Sequence, residues 1–175
     1  MATTVGLLRG VNVGGRTLPM AELREVVESL GFGDVRTYIQ SGNLLFSAPR
    51  RPKPDVLEAA IARRFGLEVD VMLRSPAELR RVIERNPFPN AEPSGLHVGF
   101  MARRPAPADV AALDEEAFAP EQFAILGTEL YLHLPNGMGR TKLPDYVLRR
   151  VKVPTTIRNW NTVTKLAELA TAAAR

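Results

Sequence analysis

The feature that most constrains this chain is a hydrophobic period that switches between about 2 and about 3.6 residues in a fixed order, and then begins that order again. Val5-Gly6-Leu7-Leu8 is a short apolar run halted by Arg9-Gly10, as a buried strand would be. Beyond a Gly-rich loop, Met20, Leu23, Val27 and Leu30 recur at helical spacing behind Pro19, and Gly31 and Gly33 end that helix. Val35, Thr37 and Ile39 alternate with Arg36, Tyr38 and Gln40, which is strand period. Ser41-Gly42-Asn43 reads as a tight turn, with Leu44-Leu45-Phe46 as the returning strand. The Pro-rich, basic segment from Ala48 to Pro54 is a loop. Leu57, Ala60, Ile61 and Phe65 then mark a second helix, and Leu67, Val69, Val71 and Leu73 a fourth strand. The order β-α-β-β-α-β is the split βαβ pattern of a ferredoxin-like unit.

The second half resumes the pattern. Ser75-Pro76-Ala77-Glu78 is a capping box that opens a linking helix with Leu79, Val82 and Ile83 on its apolar face. A strand at Leu96–Met101 follows, then a helix opened by Pro105 and Pro107 and carrying Val110, Leu113 and Phe118. Gly127-Thr128-Glu129 joins the hairpin strands Phe123–Leu126 and Leu130–Leu134. A helix near Asp145–Val151 and a last one with Val163, Leu166, Ala167 and Ala170 complete the chain, with no clear fourth strand and an alanine-rich tail expected to fray. The expected architecture is therefore α+β: duplicated ferredoxin-like (split β-α-β) units with antiparallel sheets and helices packed on them. Residues 1–75 form the first unit. Residues 76–175 hold the linking helix, a second β-α-β-β-α unit and a basic C-terminal helical segment.

Composition narrows the chemistry. A chain of 175 residues buries roughly 70% of its unfolded surface and folds without staples. The absence of cysteine excludes disulfides, thiolate zinc, iron–sulfur clusters and a cysteine nucleophile. With only two histidines, no metal site or cofactor is expected. No apolar run nears the roughly 20 residues of a membrane span, and Met1-Ala2-Thr3-Thr4 lacks a basic leader. The expectation is a soluble cytoplasmic protein without membrane contact. Its charge is uneven: residues 137–175 hold eight basic residues against two acidic, while the first 136 hold 15 against 17. Such a block attracts phosphate or nucleic acid, or is simply a solvated helix face.

Topology places the candidate site. Strands one and two of a split βαβ unit run the same way, so Arg9–Gly15 should lie beside Gln40–Asn43 at one rim. Gly10–Gly15 lacks the Gly-Lys-[Ser/Thr] ending of a phosphate loop and the spacing of a dinucleotide fingerprint. It is a ligand loop or a turn needing positive φ. Gly137-Met138-Gly139-Arg140-Thr141-Lys142 is either an anion cradle or a linker. In Thr155–Thr162 the sole tryptophan, Trp160, stands between Asn159 and Asn161 and close to Arg158, a stacking platform or a core plug. Asn161 is the expected cap of the last helix. His97 and His133 have no readable carboxylate partner, Gln40-Ser41-Gly42-Asn43 is not a nucleophile elbow, and Asp114-Glu115-Glu116 reads as a solvated helix end.

At these motifs the chain resembles a known family. Leu7-Leu8-Arg9-Gly10-Val11-Asn12-Val13-Gly14-Gly15, Pro19-Met20-Ala21-Glu22-Leu23, Leu30-Gly31-Phe32 and Tyr38-Ile39-Gln40-Ser41-Gly42-Asn43 are similar to the opening signature of the domain of unknown function 1697 family. Thr156-Ile157-Arg158-Asn159-Trp160-Asn161-Thr162-Val163 is similar to its closing motif, so the resemblance spans essentially the whole chain. It implies a bacterial α+β protein with ferredoxin-like units, and no established activity or catalytic residues. The motif residues are largely polar and on loops, which core packing alone does not require. The candidate ligand-binding set is Arg9, Asn12, Gly14, Ser41, Asn43, Arg140, Lys142, Arg158, Asn159, Trp160 and Asn161, with the N-terminal rim and the Trp160 segment expected in one pocket. The leading reading is binding of an anionic ligand, a nucleotide or nucleic acid. The rivals are an enzyme acting on a small phosphorylated or carboxylated metabolite, and a homo-oligomer whose sheet edges pair.

Overall fold

The computed structural model describes residues 1–175. The chain divides into two compact units, residues 1–80 with 166–175, and residues 81–165. The first contains β1 (Ala2–Leu8), α1 (Met20–Ser29), β2 (Gly33–Tyr38), β3 (Asn43–Ala48), α2 (Pro54–Phe65), β4 (Val71–Arg74) and the start of α3 (Pro76–Glu84). Its strands form one antiparallel sheet in the order β2-β3-β1-β4. Met20, Leu23 and Val27 of α1 and Leu57 and Ile61 of α2 share a buried cluster with Leu8, Leu44, Phe46 and Leu73 of the sheet. The helical spacing read from the sequence thus marks the face that covers the strands. Ile39 leaves β2 with φ +50° and is 49% exposed, and β4 is shorter than its alternating pattern, beginning only at Val71. Val69 and Leu67 still pack on the cluster from outside the strand.

The second unit contains β5 (Leu96–Met101), α4 (Pro107–Ala111), β6 (Gln122–Leu126), β7 (Glu129–His133), α5 (Leu143–Val151), β8 (Thr155–Asn159) and the start of α6 (Trp160–Ala173). Its sheet is antiparallel, in the order β6-β7-β5-β8. Two expectations are corrected. A fourth strand exists: β8 pairs with β5 from His97↔Asn159 to Met101↔Thr155, in the segment read as a polar loop. The helix opened by Pro107 ends at Ala111, so Leu113 and Phe118 reach the α5 side of the core from irregular chain. The alanine-rich tail is helical. α6 runs to Ala173, Leu166 and Ala170 are fully buried, and Arg80 donates to Thr171 Oγ1 at 3.3 Å.

Strand register reveals how complete the duplication is. Gly6 of β1 faces Leu44 and Leu73, and Gly99 of β5 faces Leu130 and Ile157. One residue earlier, Val5 faces Leu45 and Arg74, while Val98 faces Tyr131 and Arg158. Arg74 and Arg158 are both buried, and each donates from Nη1 to the carbonyl of the residue before it at 3.0 Å. The residue after each arginine caps a helix three positions on. Ser75 Oγ accepts from Glu78 N at 3.1 Å, with Glu78 Oε2 accepting from Ser75 N at 2.6 Å. Asn159 Oδ1 accepts from Thr162 N at 2.8 Å. The linking helix α3 therefore has its counterpart in α6, and each repeat has seven elements, β-α-β-β-α-β-α. No helix is long and apolar enough to cross a membrane.

Candidate functional site

The N-terminal rim forms where topology places it. Leu8 N donates to Gly42 O at 2.9 Å, joining the end of β1 to the β2–β3 turn. Gly42 is required there twice over. Its φ is +81°, and a Cβ would stand 2.5 Å from Val11 Cγ2 and 2.9 Å from Leu8 Cβ. Asn12, at φ +56°, binds both sides of the rim: its Oδ1 accepts from Leu18 N at 2.8 Å, while Nδ2 donates to Leu18 O at 3.1 Å and to Gln40 O at 2.5 Å. Asn43 is fully buried and donates to Tyr38 O at 3.0 Å and to Ser41 Oγ at 2.8 Å. Asn12, Ser41 and Asn43 thus brace the loops from within. Gly14 lies at the loop tip beside exposed Val13, with nothing within 4 Å of a Cβ built on it.

Arg9 points into different surroundings. Its Nη1 pairs with Asp70 Oδ2 at 3.2 Å, and its backbone N donates to Asp70 O at 3.0 Å. The surface cavity beside it, of about 640 Å³, also holds Asp55, Glu58 and Glu68. These three carboxylates and Asp70 outnumber the guanidinium of Arg9 and that of Arg16, which donates to the Glu68 carbonyl, and give that recess a net negative charge.

Arg140, Lys142 and the Trp160 segment belong to the second unit. Arg158 is 7% exposed and donates to Thr156 Oγ1 at 2.6 Å as well as to Ile157 O. Burial lowers its pKa to about 10, which leaves it charged at neutral pH. The cap of α6 is Asn159, not Asn161, because the helix begins at Trp160. Asn161 is exposed, and its carbonyl accepts from Thr164 Oγ1 at 3.0 Å. Trp160 is half-buried in the first turn. Across the ladder from Asn159 stands His97, whose Nδ1 is buried without a hydrogen-bond partner. Burial pushes its pKa down, and the Gly95 backbone only partly offsets this, so the ring is neutral at pH 7. His133 Nδ1 contacts Gln122 Oε1 at 3.2 Å.

Lys142 leads to a basic recess. Thr141 Oγ1 accepts from Leu143 N at 3.1 Å, fixing the loop at the start of α5, while Arg140 and Lys142 remain exposed. A groove of about 650 Å³ is lined by Phe118, Lys142, Asp145, Tyr146, Arg149 and Arg150. Phe118 and Tyr146 lie 5.0 Å apart with rings tilted by 49°, and the Arg150 guanidinium covers Tyr146 at 4.8 Å. Tyr146 is anchored by its hydroxyl, which accepts from Asp114 N at 2.9 Å. Arg149 and Arg150 belong to the basic block of residues 137–175 but, like Tyr146, lie outside the candidate set, although positions 142, 146, 149 and 150 follow helical i, i+4, i+7, i+8 spacing. Phe118 carried no such signal, since its contact with Tyr146 is purely tertiary.

Two four-stranded antiparallel sheets of identical strand order, each closed by an arginine and a capped helix, define a duplicated ferredoxin-like α+β protein. The chain belongs to the family described as Protein of unknown function (DUF1697), whose model matches residues 1–131. The Thr156–Val163 motif lies beyond that matched stretch. Among solved structures, the chain is similar to the conserved bacterial protein SP0830 from Streptococcus pneumoniae, at 23% identity and a TM-score of 0.74. That match covers 98% of this chain and 99% of the other, and it speaks for the fold. No curated protein matches.

Proposed function

We propose that this protein binds an anionic, phosphate-bearing ligand, a nucleotide or nucleic acid, in the groove along α5. The observation that carries this reading is the convergence of Lys142, Arg149 and Arg150 on the Phe118–Tyr146 pair, opposed only by Asp145. Lys142 and Arg149 are exposed and enter no ion pair, so their charge is available to a ligand. Arg140 lies two residues before Lys142 in the chain and is also exposed. Arginine suits phosphate through its planar fork of donors, and an aromatic pair supplies apolar surface for a base or ribose.

The test is fluorescence anisotropy with labelled nucleotides and short single-stranded oligonucleotides. Lys142→Ala and Arg149→Ala should each weaken binding by about ten-fold, the size of one lost charge-assisted contact. For a single strand, each lost phosphate contact should also flatten the slope of log K against log salt by about 0.7. Arg64→Ala, which removes an exposed cation paired with Glu22, is the matched control and should leave binding unchanged. Absence of saturable binding, or affinity indifferent to salt and to both substitutions, overturns the reading.

A further inference from the structure

The duplicated sheets treat their equivalent edges in opposite ways. β2 and β6 occupy the same outer position in their respective sheets. β2 carries devices that block pairing: Asp34 at φ +49°, a register shift between Gly33 and Arg36, and charges at Asp34 and Arg36. β6 has none of them. Gln122-Phe123-Ala124-Ile125-Leu126 contains no charge, proline or glycine, and its register with β7 runs unbroken from Gln122↔His133 to Leu126↔Glu129.

The phase of its hydrogen bonds follows from the turn. The two-residue connection Gly127-Thr128 makes Leu126↔Glu129 the closing hydrogen-bonded pair, and alternation then turns Ala124 and Gln122 toward β7. Phe123 and Ile125 therefore direct their backbone N–H and C=O groups away from the sheet. Their side chains pack only partly against the cluster that contains Leu132, Val147 and Val151, and both remain half-exposed.

We propose that β6 pairs antiparallel with β6 of a second copy of this chain, about a two-fold axis at Ala124, joining two four-stranded sheets into one. The strand is complementary to itself in that register. Ala124 meets Ala124, Phe123 meets Ile125, and the outward N–H and C=O groups of Phe123 and Ile125 form reciprocal hydrogen bonds. An aromatic residue opposite a β-branched one is a favoured cross-strand pair. Within the paired strands no like charges face each other, because Glu121 falls opposite Gly127, while Glu115 and Glu116 line a recess beside Gln122–Ala124. The second copy supplies the apolar cover that Phe123 and Ile125 lack within one chain, and an isologous contact of this kind closes at a dimer.

Sedimentation equilibrium tests this directly. The wild-type chain should show a reversible monomer–dimer equilibrium. Ala124→Lys and Ala124→Glu each set like charges face to face at the axis and should raise the dissociation constant at least ten-fold. An equimolar mixture of the two variants should recover a heterodimer. Ile125→Pro removes only the outward-facing N–H, and should also yield monomer with an unchanged far-UV spectrum. Should Ile125→Pro fail to fold, the Lys/Glu mixture still decides the matter. A wild-type chain that remains monomeric through the millimolar range overturns the proposal, even if the edge captures an extended peptide. A dimer that persists in Ala124→Lys and Ala124→Glu overturns it equally.

Discussion

Gly15 and Gly42 share φ +81° but differ in their surroundings, so an alanine at each separates backbone strain from crowding. An L side chain held in the left-handed region costs about 1–2 kcal/mol. That is the whole of the cost expected for Gly15→Ala, since nothing lies within 4 Å of its Cβ position. Gly42→Ala adds collisions at 2.5 Å with Val11 Cγ2 and 2.9 Å with Leu8 Cβ. Relieving such overpacking in a closed site costs about 1–3 kcal/mol more. The sum, about 3 kcal/mol for Gly42→Ala, lowers Tm by roughly 6–12 °C in a chain of this size, against roughly 2–8 °C for the about 1–2 kcal/mol of Gly15→Ala. Urea unfolding followed by circular dichroism gives the energies. Hydrogen exchange at the Leu8 amide, bonded to Gly42 O, reports whether the rim itself opens. Equal destabilisation by the two substitutions would refute the claim that steric closure between β1 and the β2–β3 turn holds the rim together.

The two repeats supply another matched pair. A Cβ on Gly6 meets only ordinary contacts at 3.5–3.6 Å, whereas one on Gly99 meets Thr155 Cγ2 at 3.0 Å and Leu130 Cβ at 3.2 Å, from strands on either side. Gly6→Ala should therefore be nearly neutral and Gly99→Ala should cost about 1–3 kcal/mol by chemical denaturation; the reverse ranking would contradict the packing. Glu78 provides a test by pH. Burial favours its neutral acid, but the Ser75 amide, Arg51 and Arg74 together favour the carboxylate more and hold its pKa below the usual value. The folded chain thus binds this proton more weakly than the unfolded chain, so the stabilisation is complete above the unfolded pKa and fades as pH falls through the folded one. The stability advantage of the wild type over Glu78→Gln should be constant from neutral pH down to about pH 5 and shrink below it. An advantage that grows on acidification would show the sign to be wrong.

The candidate site was legible in position more than in role. The meeting of Arg9–Gly15 with Gln40–Asn43 follows from strand direction alone, and Leu8 N–Gly42 O and Asn12 Nδ2–Gln40 O realise it. The task of Asn12 was not legible. An asparagine amide that braces two loops and one that grips a ligand have the same residue type and the same loop setting. The positions of Leu18 and Gln40 supply the bracing contacts. Arg9 illustrates the same point for charge, since its sign is written in the chain but its neighbours Asp55, Glu58 and Asp70 arrive from distant segments.

The amino-acid sequence by itself determined the order of the elements other than β8, the capping box at Ser75 and Glu78, the turns and the helix faces that become buried. These depend on neighbours a few residues apart, and the periods of helix and strand report them directly. Tertiary structure alone decided that Thr155–Asn159 is a strand. Its threonines and arginine read as a polar loop until β5 offers a ladder and Arg158 finds Thr156 and a backbone carbonyl inside the fold. Tertiary structure also placed Phe118 against Tyr146 and left β6 open where its counterpart β2 is guarded. In each case the deciding energy is a desolvated contact between segments far apart in the chain, which no local pattern encodes.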